Sequence, residues 1–412
     1  MAPRTSQHTA SPGTGAGAGA GARAEAPEGP GELPDLLRRA LRVPSLRAKY
    51  APVLADGPVR LTDLPVLTRQ ELALATEEAL VSGSRPAASL IWADGGTVRT
   101  PSLSLLPADL FAERVRGAWR PLGPSDVLTN LHSCERLRPD HHFFNRFAAA
   151  SGAACLPLGP LPDGAQDAWL EFFARTGVTA LSAPPETVAR LAGAAGAGRP
   201  LPWLRTLLLG GTLHDTTSDA LLSDRFPYTQ VWRLYGTPAT GVAGQHGPHC
   251  LTGLYHPLPH QHVEVVDGQV LVTTLDARRD PPLIRYATEE RGEYASCVCG
   301  AAGPAIRLLG PRDPHFRLHG RAVSARELVD SALATGEVTA AQVAVGRGQR
   351  VQLRVLLAPG VPDDHYTHDW IRYQVLESRL SLPAFVLDQP DVFDVVSVER
   401  LDGTSALAAD EF

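Results

Sequence analysis

The sequence predicts an α/β protein in two folded domains: a large one of parallel strands and helices with a β subdomain, then a small α+β domain. Three observations carry this expectation. Between Ser89 and Thr240 short apolar runs alternate with amphipathic stretches, the pattern of strands joined by crossover helices. From Gly253 to Ala287 hairpin signals replace that alternation. Beyond Leu309 a short polar link opens a segment where strand and helix patterns mix.

Residues 1–32 are almost all Gly, Ala, Pro and Ser, too little apolar surface to offset chain entropy, and read as a disordered leader. Alternating Gly and Ala do not make the apolar centre of a signal peptide, so a cytoplasmic protein is expected. From Leu33 to Tyr50 apolar residues recur at helical spacing. In LTDLPVLTRQEL, Thr68 reads as the N-cap of a short helix. The strand candidates SLIWA, DVLTNLH, AACLPL, GVTALSA, TLLLGG and YTQVWRLYG follow, with helices expected over Asp109 to Trp119 and Asp167 to Arg175. In HVEVVDGQVLVTTL an Asp-Gly turn joins two alternating strands. Further helices are expected over Ala325 to Thr335 and His368 to Leu380, with strands at QVAVG, VQLRVLLA and FDVVSVERL. The large domain is therefore bounded at 33–309 and the small one at 310–412.

Composition narrows the function. A formal charge of -6 offers no basic field to a phosphate backbone, so nucleic acid is not an expected partner. No apolar run approaches the roughly 20 residues of a membrane helix. Five cysteines, at 134, 155, 250, 297 and 299, are an odd number in a chain without an export signal, and their spacing points to metal rather than disulfides. The bland alternative is buried free thiols acting as small hydrophobes. In LHSCERLRPDHH, His132, His141 and His142 stand near Cys134, a possible Cys/His pair or simply polar loop and core histidines. Of 38 basic residues only Lys49 is a lysine.

The order of segments from Leu33 to Leu401 resembles the adenylate-forming ligases (acyl-CoA synthetases, peptide-synthetase adenylation domains, luciferases), in the phenylacetate–CoA ligase-like branch. DLPVLTRQEL resembles the stretch before the phosphate loop, and GAACLPLGP with TALSAPPETVARLA the next two α/β units. LLLGGTL resembles the acyl-pocket strand and its turn, which implies substrate binding at Gly210 and Gly211, with His132 as a third substrate-binding residue. RLYGTPATG resembles the Tyr-Gly-Ser/Thr-Thr-Glu turn beside the nucleotide. This implies catalytic roles for Tyr235 and Thr237 and a nucleotide contact at Gly236. PLIRYATEERGEY resembles the strand whose Asp holds the ribose hydroxyls, with Glu290 in its place. The family's phosphate loop corresponds to ADGGTVRTP, implying nucleotide contacts at Gly95, Gly96 and Thr97; its hinge corresponds to GPRDP, with Arg312.

The resemblance also locates what is altered. Asp94 puts an anion in the phosphate loop, Ala239 stands where the family has its Mg²⁺-binding glutamate, and the C-terminal lysine is missing from VVSVERLDGTSALAADEF. A cation lost from developing phosphate charge costs on the order of 2.7–4 kcal/mol. ATP, AMP and Mg²⁺ are the family's cofactors, and the ATP and Mg²⁺ positions are the changed ones. The branch's structural zinc implies Cys250, His256, Cys297 and Cys299 as ligands, with His249 and His246 as rivals for the fourth place. The implied protein is a divergent carboxylate-activating enzyme of bacterial secondary metabolism, acting on a small aryl or organic acid or its thioester. The acceptor is left open between CoA, an acyl carrier protein and an amine, and a homodimer is an expectation by analogy. Two other readings keep the fold: an ATP-independent acyl transferase, or a pseudoenzyme that binds a partner.

Overall fold

The computed structural model describes residues 33–408 apart from 56, 84–88, 97–100, 135–138, 163, 195–200, 211–221, 223, 313–314, 319–320, 347–349, 378, 380–381, 383–385, 388, 390 and 402–404. The leader therefore lies outside the described residues, as do Thr97 and Gly211.

Three helices come first: α1 (Leu33–Ala40), α2 (Pro44–Leu54) and α3 (Arg69–Val81). The single helical run expected up to Tyr50 divides because Pro44 begins a new helix, where its missing N–H is no loss. Thr68 caps α3 as expected, accepting from the Glu71 N–H while the Glu71 carboxylate accepts from the Thr68 N–H. Such a reciprocal cap is worth about 1 kcal/mol. Glu71 also takes the Lys49 ammonium at 2.6 Å, so the one lysine ties α2 to α3.

The hairpin β1 (Ser89–Gly96) and β2 (Pro101–Pro107) forms its own two-stranded sheet. SLIWA is thus antiparallel and outside the parallel layer into which its apolar run alone would place it. After α4 (Ala112–Ala118) come β3 (Val127–Asn130), α5 (Asp140–Ser151), β4 (Ala154–Pro157), α6 (Gln166–Arg175), β5 (Ala180–Ala183), α7 (Pro185–Ala194), β6 (Thr206–Gly210) and β7 (Gln230–Thr237). Helix α4 starts at Ala112 rather than Asp109 because Leu110 and Phe111 adopt positive φ.

Strands β3 to β7 pair in parallel. Along β6 Leu208 joins the core under α5, whereas Leu207 and Leu209 join the core with α6 and α7. A two-residue period that buries both faces is what a strand with helices on either side requires. Each such leucine contributes about 1.5–3 kcal/mol by leaving water.

Six antiparallel strands continue the sheet: β8 (Gly241–His246), β9 (Leu254–Pro257), β10 (Gln261–Val266), β11 (Gln269–Thr274), β12 (Tyr286–Ala295) and β13 (Ala305–Pro311). The expected β subdomain is therefore an extension of one eleven-stranded sheet, ordered β10-β11-β12-β13-β9-β8-β7-β6-β5-β3-β4. The Asp267-Gly268 turn has both residues at positive φ, as a two-residue hairpin demands.

Beyond β13 lie β14 (His315–Leu318), β15 (Arg321–Ser324), α8 (Ala325–Leu333), β16 (Val338–Val345), β17 (Val351–Leu357), α9 (His365–Glu377) and β18 (Phe393–Ser397). Strands β16, β17 and β18 make a three-stranded sheet with its own core, including Leu328, Val343, Leu353, Ile371 and Phe393. Helix α9 begins three residues before His368. This small unit meets α3 through Arg69, whose guanidinium lies 3.0 Å from Glu327 on α8 and 3.7 Å from Glu289 on β12.

Candidate functional site

The carboxyl ends of parallel strands are where crevices open in α/β sheets. Three expected site segments converge there: His132 just past β3, Gly210 ending β6, and Tyr235 to Thr237 ending β7. A methyl added at Gly210 would lie 3.5 Å from the Phe144 ring and 3.8 Å from His132 Cε1, so these groups share one wall. His132 is buried and stacks on Phe144, with ring centres 4.7 Å apart and planes 12° from parallel.

Asn130 fixes this wall. Its Nδ2 donates to the His141 carbonyl and to Asn145 Oδ1, each at 2.8 Å, while its Oδ1 accepts from the His132 N–H and the Ser182 hydroxyl. All four hydrogen-bonding positions of the amide are thus used, which pins the loop after β3 to α5 and β5. Cys134 is exposed whereas His132 is buried, and no hydrogen bond joins the thiol to a histidine among the described residues.

On β7, Tyr235 is buried and its hydroxyl donates to Thr288 Oγ1 at 3.3 Å. Burial pushes its phenol far above the ordinary range; the Thr288 hydrogen bond opposes this, and the nearby Glu290 and Tyr255 add to it. The phenol is therefore a proton holder and hydrogen-bond donor, not a base. Thr288 and Glu290 stand two apart on β12, where Glu289 at positive φ breaks the strand's alternation and the Glu290 N–H donates to Thr288 Oγ1 at 3.3 Å. Glu290 is buried, and the hinge reaches its neighbour: the Arg312 N–H donates to the Glu289 carbonyl at 2.7 Å. Arg312 itself is exposed, and Asp313 lies outside the described residues. Gly236 admits no side chain, since a Cβ there would clash with the Gly241 carbonyl oxygen.

The turn after β7 closes on itself. The Thr237 and Thr240 hydroxyls are 3.2 Å apart, and each backbone N–H donates to the other's hydroxyl. Ala239 is 1 % exposed and packs in the core that includes Tyr235 and Ala243. A Mg²⁺ ion needs oxygen donors, and this position offers a methyl directed into apolar packing. The residues here do not fit that ion. Gly95 and Gly96 lie on β1 in the separate hairpin, whose second strand brings Leu106 to within 4.0 Å of a Cβ placed at Gly241.

The cysteines form a second centre. Register brings them together, because β13 pairs with β9 and so swings the turn between β12 and β13 over His256. The donor atoms of Cys250, His256, Cys297 and Cys299 all lie within 4.8 Å of one another, and Cys299 Sγ is 3.2 Å from His256 Nε2. Zinc bonds of about 2.0–2.3 Å in a tetrahedron place ligand atoms roughly 3.5–3.8 Å apart, so small side-chain adjustments suffice. His256 completes the group; its rival His246 instead sets Nδ1 2.8 Å from the Leu254 carbonyl oxygen. Burial works against the Cys297 thiolate, but hydrogen bonds from the Cys299 and Leu251 backbone and from His256 hold its pKa down at about 6. Burial pushes Cys250 up to about 12, against the Gly247 N–H and with the help of the other two sulfurs. Three thiols around one imidazole are a donor set suited to zinc.

Sequence reasoning missed Thr288, Phe144 and Asn130. A signal existed for Asn130, since asparagine is depleted within strands and here ends an apolar one. Thr288 and Phe144 carry no signal beyond their place in a strand and a helix.

No family profile matches the chain, and no curated protein matches it. Solved structures do. A 2-hydroxyisobutyryl-CoA ligase, in complex with 2-hydroxyisobutyryl-AMP and CoA in the thioesterification state, superposes with a TM-score of 0.70 at 16% identity, over 92% of this chain and 88% of that one. The same ligase gives 0.55 in an open conformation and 0.56 in its postadenylation state. The amide bond synthetase McbA from Marinactinospora thermotolerans gives 0.55 at 18% identity, over 77% of this chain and 66% of that one. A malonyl-CoA ligase with methylmalonyl-CoA and AMP bound gives 0.54 at 16% identity, over 76% and 71%. With its large sheet and its small C-terminal unit, this chain has the fold of the adenylate-forming ligases.

Proposed function

We propose that this chain takes an already activated small aryl or organic acid, as its adenylate or thioester, and passes the acyl group to a thiol acceptor. CoA or a carrier protein fits that role, in bacterial secondary metabolism. The observation that carries this reading is Ala239, a methyl in the core where adenylation from ATP needs a Mg²⁺-binding carboxylate. The lone lysine, committed to Glu71 between α2 and α3, offers no replacement cation.

In this transfer the acceptor thiolate attacks the acyl carbonyl carbon. A C–S bond forms as the bond to phosphate oxygen or donor sulfur breaks, and the departing group keeps the electron pair. The Gly210, His132 and Phe144 wall receives the acyl chain. Glu290 accepts hydrogen bonds from the ribose hydroxyls, with Tyr235 and Thr288 backing it, and small-domain residues close the cleft from the side of α8.

The test is acyl movement from a panel of small-acid CoA thioesters to a second thiol with ATP omitted, beside ATP–pyrophosphate exchange driven by the free acids. Transfer without ATP and exchange at background are expected. Strong exchange would instead establish ATP-dependent carboxylate activation. That second reading is favoured by one observation, the buried polar corner of Tyr235, Thr288 and Glu290.

We also propose that Cys250, His256, Cys297 and Cys299 hold a structural zinc, closed by four protein ligands and so without a site for substrate. Purified protein is expected to carry one zinc per chain. Cys299→Ser should lose it and several kcal/mol of stability, on the order seen for structural zinc sites. Metal-free protein of undiminished melting temperature would remove the assignment.

A further inference from the structure

The small domain carries a surface that the cleft chemistry does not use. Helix α9 buries Ile371, Val375 and Leu376 against its sheet. Its opposite face presents Tyr366, Trp370 and Tyr373, which are 74%, 49% and 51% exposed. Offsets of four and seven residues keep the three rings within an arc of about 60° on the helix. Aromatic rings left in water on one stripe mark a contact surface more often than chance scatter does.

The charges on this face have one sign. Asp369 and Glu377 flank the rings and are exposed. Arg372, the only Lys or Arg in the helix, is turned inward, its guanidinium donating to the carbonyls of Phe393, Leu387 and Val386 at 2.8, 3.1 and 2.8 Å. At the start of the helix, the Asp363 carboxylate is held by His368 and Ser397.

Size and sign select the occupant. A Tyr or Trp buries about 150–250 Å² when covered, so the half-exposed stripe offers a few hundred Å², short of the ~800 Å² per side of a stable protein pair. A two-fold pairing of this face with a second copy would also set Asp369 and Glu377 against their own mates. We propose that the stripe docks a short cationic segment of another protein, with arginine side chains lying on the Trp370 and tyrosine rings while Asp369 and Glu377 take their charge. A guanidinium suits both demands, since it stacks on aromatic faces and forks onto carboxylates.

Fluorescence anisotropy of two labelled synthetic peptides tests this, one with arginines spaced at three and four residues among leucines, the other with glutamates in their place. The arginine peptide is expected to bind and to weaken at high salt, and the glutamate peptide not to bind. W370A should weaken binding at least about tenfold, as loss of a central aromatic does. The double variant D369N/E377Q should weaken binding and flatten its salt dependence without altering the rings. Equal binding of both peptides, or indifference to both variants, overturns the proposal. So does a dimer, seen by analytical ultracentrifugation, that W370A dissolves, because a second copy would then be the occupant.

Discussion

The two ends of one short stretch, Tyr235 to Thr240, have gone in opposite directions. At the Tyr235 end a buried hydroxyl, Thr288 and the Glu290 carboxylate keep polar groups gathered where water is scarce. At the Ala239 end the threonine hydroxyls bond to each other and the remaining side chain is a core methyl. Burying polar groups is costly unless they have partners, and at the first end Thr288 supplies them, accepting from Tyr235 and donating to the Val270 carbonyl, whereas the second end is ordinary turn packing. On the proposed function, the two ends of this stretch can diverge separately.

The sharpest way to break that contrast is to put the carboxylate back. Ala239→Glu would force a charge into the packed core, and the expected loss is about 3–5 kcal/mol, read as a lower urea midpoint. Full stability together with Mg²⁺-dependent pyrophosphate exchange in this variant would mean that the turn still opens onto the cleft. A smaller effect is expected at the other end. Glu290→Gln removes the charge but keeps the shape, and should weaken AMP binding by calorimetry roughly tenfold, a charged hydrogen bond being worth about 1.5–3 kcal/mol. Unchanged affinity would detach Glu290 from the ribose. The smallest effect belongs to the contact between the domains. Arg69→Ala breaks partly exposed pairs with Glu327 and Glu289 and should cost no more than about 1 kcal/mol. Small-angle scattering should nonetheless detect a broader spread of domain positions, and an unaltered profile would show that other contacts hold the small domain.

Much of the fold was legible because it rests on local rules. Thr68 and Glu71 announce a helix start, Asp267-Gly268 a hairpin, and Leu207 to Leu209 a strand buried on both faces. What escaped depended on partners far along the chain. Ser89 to Ala93 reads as one more apolar strand, and only its pairing with β2 shows that it stands outside the large sheet. The grouping of Cys250 with Cys297 and Cys299 came from resemblance and spacing, but its geometry follows from the β9–β13 register, which no local pattern states. At the cleft, Ala239 was readable as a missing ligand. That its methyl faces the core, and that Asn130 pins the wall beside Gly210, are facts of packing.

The committed state of Lys49 has a chemical consequence. Activated acyl groups that escape a cleft react with amines, and among these 412 residues the lysine side chains number one, held at 2.6 Å by the Glu71 carboxylate. The chain thus offers such reagents a single side-chain amine, and that amine is engaged by a carboxylate. The same scarcity turns an amine-directed label, apart from the α-amino group, into a probe of the junction of α2 and α3.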